Sequence, residues 1–94
     1  MAFARVVSFE GVSRERVEEM KREMRDSERP EGMPAKELIV LHDPEAEKSV
    51  VLLFFGSEED YQRADETLNA MPASETPGRR TSVGKYDVAM RMTI

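Results

Sequence analysis

Several residue types that commonly build functional sites are absent or nearly absent from this 94-residue chain. It has no cysteine, which excludes disulfide bonds and thiolate metal sites. It has no tryptophan and a single histidine, His42, so a cluster of histidines cannot bind zinc. The sequence also carries no recognisable catalytic signature. We therefore expect neither a metal nor a cofactor.

Long apolar runs and excess positive charge are missing too. The longest apolar run covers residues 50–55, far too short to span a bilayer, and the N-terminus lacks the layout of a signal peptide. The 19 acidic residues outnumber the 14 basic ones, giving a net charge of −5, whereas nucleic-acid binding needs a basic surface. These features predict one soluble, cytoplasmic domain over residues 1–94, with neither a membrane nor a nucleic acid as partner.

The pattern of apolar residues and chain breakers predicts six elements in the order β-α-β-β-α-β. Branched and aromatic residues mark the strands, and Pro and Gly at residues 29–34 and 71–80 mark loops. Asp43 and Pro44 predict a turn between the middle two strands, which would form an antiparallel hairpin. The predicted strands are residues 2–9, 36–42, 49–56 and 81–93, and the predicted helices are residues 14–28 and 58–70.

Both predicted helices have an N-terminal cap and one narrow apolar stripe. Ser13 and Ser57 can accept hydrogen bonds from the first free amides of the helices that follow them. The apolar residues recur at helical spacing on a single side; they are Val17, Met20 and Met24 in the first helix and Tyr61, Ala64 and Leu68 in the second. Each helix can therefore pack its single apolar stripe against only one face of the sheet.

The predicted hairpin strands are apolar on both faces of the sheet. Residues 50–55 read Val-Val-Leu-Leu-Phe-Phe, and successive side chains of a strand point to opposite faces. Right-handed crossovers place both helices on one face, so the second face needs another cover. The simplest cover is a second copy of the chain in a two-fold dimer. The alternative is that the loop at residues 71–80 folds over that face.

A chain of this length, element order and two-faced sheet resembles the dimeric α/β-barrel superfamily, in its antibiotic-biosynthesis monooxygenase-like branch. The segments that carry the resemblance are residues 54–61 (Phe-Phe-Gly-Ser-Glu-Glu-Asp-Tyr) and residues 83–88 (Val-Gly-Lys-Tyr-Asp-Val). The resemblance implies a ferredoxin-like α+β fold, a sheet-to-sheet homodimer and a small-molecule pocket between helices and sheet. Some enzymes of the superfamily use an Asn, a Trp and a His, of which this chain has Asn69 and His42 but no Trp.

The candidate ligand-binding residues are His42, Tyr61, Asp65, Asn69, Arg80 and Tyr86. Histidine titrates near neutral pH, the tyrosines offer hydroxyl groups, Asp65 and Asn69 lie one helical turn apart, and arginine binds carboxylates through its planar fork. Each has a structural alternative: a solvent-facing strand end for His42, core packing for the tyrosines, a solvated helix flank for Asp65 and Asn69, and a surface or dimer contact for Arg80.

Three functions stay open at this point. The first is a dimeric domain that binds a small apolar or aromatic metabolite between helices and sheet. The second is a structural or ligand-sensing dimer without catalysis. The third, cofactor-free oxygenation, follows only from the resemblance. A pocket of about 300 Å³ or more with converging polar groups would favour binding.

Overall fold

The chain forms a four-stranded antiparallel sheet and two helices, in the ferredoxin-like β-α-β-β-α-β order predicted from the sequence. The computed structural model describes residues 2–26, 34–71 and 76–94, without the side chains of residues 24–26. The predictions for residues 27–33 and 72–75, and for the side chain of Met24, lie outside this description. The elements are β1 (Phe3–Glu10), α1 (Arg14–Asp26), β2 (Glu37–Asp43), β3 (Lys48–Phe55), α2 (Glu58–Asn69) and β4 (Arg79–Asp87).

Local sequence signals account for the helix starts and the hairpin turn. The Ser13 hydroxyl accepts a hydrogen bond from the Arg16 amide at 3.1 Å, and the Ser57 hydroxyl accepts one from the Asp60 amide at 3.2 Å. Both contacts satisfy amides that have no partner inside their helix. In the β2–β3 turn, the Asp43 carboxylate accepts hydrogen bonds from the amides of residues 45 and 46. The predicted caps and turn are therefore confirmed.

The strand order is β2-β3-β1-β4, and its register assigns each side chain to a face. Phe3 pairs with Phe55, Val7 with Val51, and Leu38 with Leu53, so these residues share one face. Both helices lie on that side, which we call the helix face. There α2 contributes Tyr61 and Ala64 to a core around Phe55, and α1 packs Val17 against a second core that contains Val7, Phe9 and Val12.

The other side of the sheet, the open face, is covered by neither helix. Its apolar side chains come from all four strands and are Ala4, Val6, Ile39, Leu41, Val50, Leu52, Phe54 and Tyr86. Ala4 is buried, Leu52 and Phe54 are half-buried, and Leu41 and Tyr86 are 55% and 58% exposed. The described part of the loop at 71–80 does not provide the alternative cover, because Met71, Thr76 and Pro77 line a cavity on the helix face.

The last strand is shorter than its sequence pattern predicts. The predicted strand of residues 81–93 is wrong at both ends, because β4 begins at Arg79 and ends at Asp87. Asp87 pairs with Phe3, the first residue of β1, so β1 has no further residue to pair with the chain beyond Asp87. The amide of Val88 still donates to the carbonyl of Ala2, and the chain then turns onto the open face, where Arg91 forms an ion pair with Glu37.

Candidate functional site

A cavity of about 610 Å³ lies between the helices and the sheet. Its floor is the helix face of the three strands β1, β2 and β3, and α1, α2 and the segment before β4 contribute its walls. Most of its lining is apolar, and these residues are Val7, Phe9, Met20, Ala35, Leu38, Val40, Val51, Leu53, Leu68, Met71 and Pro77. The narrow stripes of the two helices explain the gap, since each helix covers only the strip of sheet directly beneath it.

Arg5 is a nearly buried cation at this cavity. It occupies an inward position of β1, between the apolar Phe3 and Val7, and is only 3% exposed. Its Nε donates to the Asp65 carboxylate at 2.9 Å, and its Nη2 donates to the Asn69 side-chain oxygen at 3.1 Å. A buried charge requires a partner of this kind, because losing its hydration costs several kcal/mol.

Three of the predicted site residues meet around Arg5. Asp65 and Asn69 lie one turn apart on α2, and the Asn69 amide nitrogen donates to Asp65 at 3.2 Å. Arg80 approaches from β4, and its Nη1 donates to the Asn69 side-chain oxygen at 2.8 Å. Arg5 and Arg80 both line the cavity. We call these four residues the arginine cluster.

Sequence analysis did not select Arg5, although it is the residue around which the cluster is built. A signal was present: in residues 3–9 the alternate positions Phe3, Arg5, Val7 and Phe9 point to one face, and the other three are apolar. A charged residue on an otherwise apolar strand face indicates either an exposed edge or a buried ion pair. Here β1 lies between β3 and β4, so Arg5 is enclosed.

Tyr61 lies in the core beside the cavity and is not part of the cavity lining. Its ring packs edge-on against Phe55, with centroids 5.4 Å apart, and the Lys85 ammonium lies 5.0 Å from the Tyr61 ring centroid. Burial, with a smaller contribution from the Asp65 charge, raises the pKa of the Tyr61 phenol. Tyr61 is therefore a neutral core aromatic at physiological pH.

Tyr86 lies on the opposite side of the sheet from the arginine cluster. It pairs with Ala4 and so belongs to the open face, and its ring packs over Gly84 on the same strand. Its neighbour Lys85 points to the helix face, where it forms an ion pair with Glu58. The register therefore puts the two candidate tyrosines, Tyr61 and Tyr86, on opposite sides of the sheet.

His42 lies at a different depression, of about 400 Å³, between α1 and β2. Its Nε2 is 2.9 Å from the carbonyl oxygen of Val12. A carbonyl only accepts, so this contact requires the tautomer or cation with a proton on Nε2. The contact ties β2 to the segment before α1, and His42 does not line the larger cavity.

Within residues 2–26, 34–71 and 76–94, no group of three or more His, Asp or Glu side chains has an arrangement suited to a metal ion. In the same residues, neither helix is both long and apolar enough to cross a membrane. Comparison of the sequence with models of known protein families and with curated proteins gives no match.

Proposed function

We propose that this chain is a small-molecule-binding domain that holds an apolar or aromatic metabolite in the cavity between its helices and its sheet. The observation that carries the proposal is the cavity itself. Its volume of about 610 Å³ lies within the range of ligand sites, ~300–1,000 Å³. The lining also has the usual composition of such sites, mostly apolar residues with a few polar ones.

We further propose that the binding unit is a homodimer joined through the open face. Monomeric proteins rarely leave a large apolar patch in water. Arg91 lies over the Phe54 ring at one end of this face, whereas neither helix covers the rest of it, around Val6, Ile39 and Leu52. A two-fold interface must be complementary to itself. A neutral apolar centre meets that requirement. Glu37 and Arg91 also meet it, because they place one negative and one positive charge at the same edge of the open face.

The positions of the polar residues favour ligand binding and do not indicate a particular reaction. The side-chain oxygen of Asn69 already accepts from Arg5 and Arg80, and its nitrogen donates to Asp65. His42 belongs to the other depression. The resemblance to the monooxygenase-like branch of the dimeric α/β-barrel superfamily remains part of the proposal, as support for the dimer and for the pocket position.

Filling the cavity is expected to weaken binding while the fold is kept. Val51 lies on the cavity floor and is partly exposed to it, so Val51→Phe places a phenyl ring in the space a ligand would occupy. We expect the affinity for a neutral aromatic probe, 2-naphthylmethanol, to fall by about tenfold or more, on the order of 1.4 kcal/mol. Probe fluorescence measures this directly, because the chain has no tryptophan.

Val83→Phe is the matched control. Val83 also lies on the helix face but is 40% exposed on the edge strand β4 and does not line the cavity. It should bind the probe as the unsubstituted chain does. Equal binding by Val51→Phe and the unsubstituted chain would place the probe elsewhere and would contradict the proposal.

A further inference from the structure

The arginine cluster carries a net positive charge at one end of the cavity. Two guanidinium groups, from Arg5 and Arg80, face one carboxylate, from Asp65. Asn69, to which both arginines donate, is neutral and contributes no compensating charge. Glu37 also lines the cavity, but its side chain is on the open face, where it pairs with Arg91. Among the described residues, the cluster is therefore one negative charge short of neutrality.

One nitrogen of Arg5 has no hydrogen-bond partner among the described residues. Its Nε and Nη2 are used by Asp65 and Asn69, while its Nη1 makes no hydrogen bond to the described residues. Every fully buried side-chain nitrogen or oxygen atom in those residues has a hydrogen-bond partner. The Nη1 of Arg5 has none, so it must retain some accessible surface. Arg5 lines the cavity and is otherwise enclosed, so we take this nitrogen as the donor that it offers to a ligand there.

We propose that the ligand is a monocarboxylate whose carboxylate group binds Arg5 and Arg80 while its apolar body lies over Val51 and Leu53. This inference rests on the proposed binding function and adds the chemical class of the ligand. A carboxylate matches the planar donor fork of an arginine. One negative charge also balances the excess of one positive charge, whereas a phosphate dianion would overcompensate it.

Two probes of nearly equal shape test the inference. They are 2-naphthoate, which carries a carboxylate, and 2-naphthylmethanol, which carries a hydroxyl group at the same position. We expect the unsubstituted chain to bind 2-naphthoate about tenfold or more tightly, because hydrogen bonds to charged groups are the stronger ones. Equal affinity for the two probes would overturn the inference and leave the proposed function standing. Binding of neither probe would overturn both.

Adjacent arginines provide a matched pair of variants. Arg80→Gln removes a cluster charge and is expected to lower the affinity for 2-naphthoate by about tenfold while changing that for 2-naphthylmethanol by less than about twofold. Arg79→Gln removes the same charge one residue away, where the side chain is exposed and pairs with Glu10. It should change neither affinity. An equal loss of naphthoate binding in both variants would indicate a general charge effect and would contradict direct recognition.

Discussion

Replacing Leu52 with glutamate is expected to convert the proposed dimer into a folded monomer. Leu52 lies near the centre of the open face, on β3 between Ile39 and Val6 of the neighbouring strands. In a two-fold dimer the substitution removes two buried leucines and adds two like charges. The loss of apolar burial alone is worth ~4 kcal/mol, so we expect the dissociation constant to rise by about a thousandfold or more.

Light scattering coupled to size-exclusion chromatography measures this outcome as a molar mass. The unsubstituted chain should have about twice its monomer mass of 10.7 kDa, and Leu52→Glu should have the monomer mass with its circular dichroism spectrum unchanged. Gln62→Glu adds the same charge on the exposed side of α2 and should remain dimeric. An unsubstituted chain that is monomeric at micromolar concentration would show that no second copy covers the open face.

Replacing Phe55 with glutamate is expected to unfold the protein. Phe55 is 1% exposed and packs against Tyr61 and Ala64 of α2. Removing a buried phenylalanine costs ~3–5 kcal/mol, and an unpaired carboxylate in the same space adds several more. A domain of this size has a free energy of unfolding of ~5–14 kcal/mol, so the combined loss is comparable to its whole stability.

Phe55→Leu is the control for this substitution. It keeps the apolar character of the site and should remain folded, with a free energy of unfolding lowered by ~1–2 kcal/mol. Urea titration followed by circular dichroism compares the three chains. Leu53 is a less decisive position, because its cross-strand partner Arg5 would partly neutralise an introduced carboxylate. A cooperative urea transition for Phe55→Glu near that of Phe55→Leu would contradict the assignment of Phe55 to the core.

The fold could be predicted from the sequence because its signals are local. Ser13 and Ser57 specify helix starts through contacts within one turn, and Asp43 specifies the hairpin turn in the same way. The two-faced apolar pattern of residues 50–55 depends only on the alternation of side chains along a strand. These signals can be interpreted without knowing which strands are neighbours in the sheet.

The errors arose where pairing between distant segments decides the structure. Residues 88–94 alternate as a strand does, yet β1 offers no residues beyond Phe3 with which they could pair. Tyr86 is a candidate ligand-binding residue by its hydroxyl group, whereas its pairing with Ala4 places it on the open face, away from the cavity. Arg5 was missed for the same reason, since its partners Asp65 and Asn69 are 60 and 64 residues away along the chain.

The most direct test of ligand binding in the cavity is a methyl NMR titration with 2-naphthoate. The two faces of the sheet carry different methyl groups, so the bound probe reports which face it contacts. Binding in the cavity predicts shifted resonances for the methyl groups of Val51, Leu53 and Leu68, which line it, and unchanged resonances for those of Val6, Val50 and Leu52 on the open face. Shifts confined to Val6, Val50 and Leu52, or no shift at all, would contradict it.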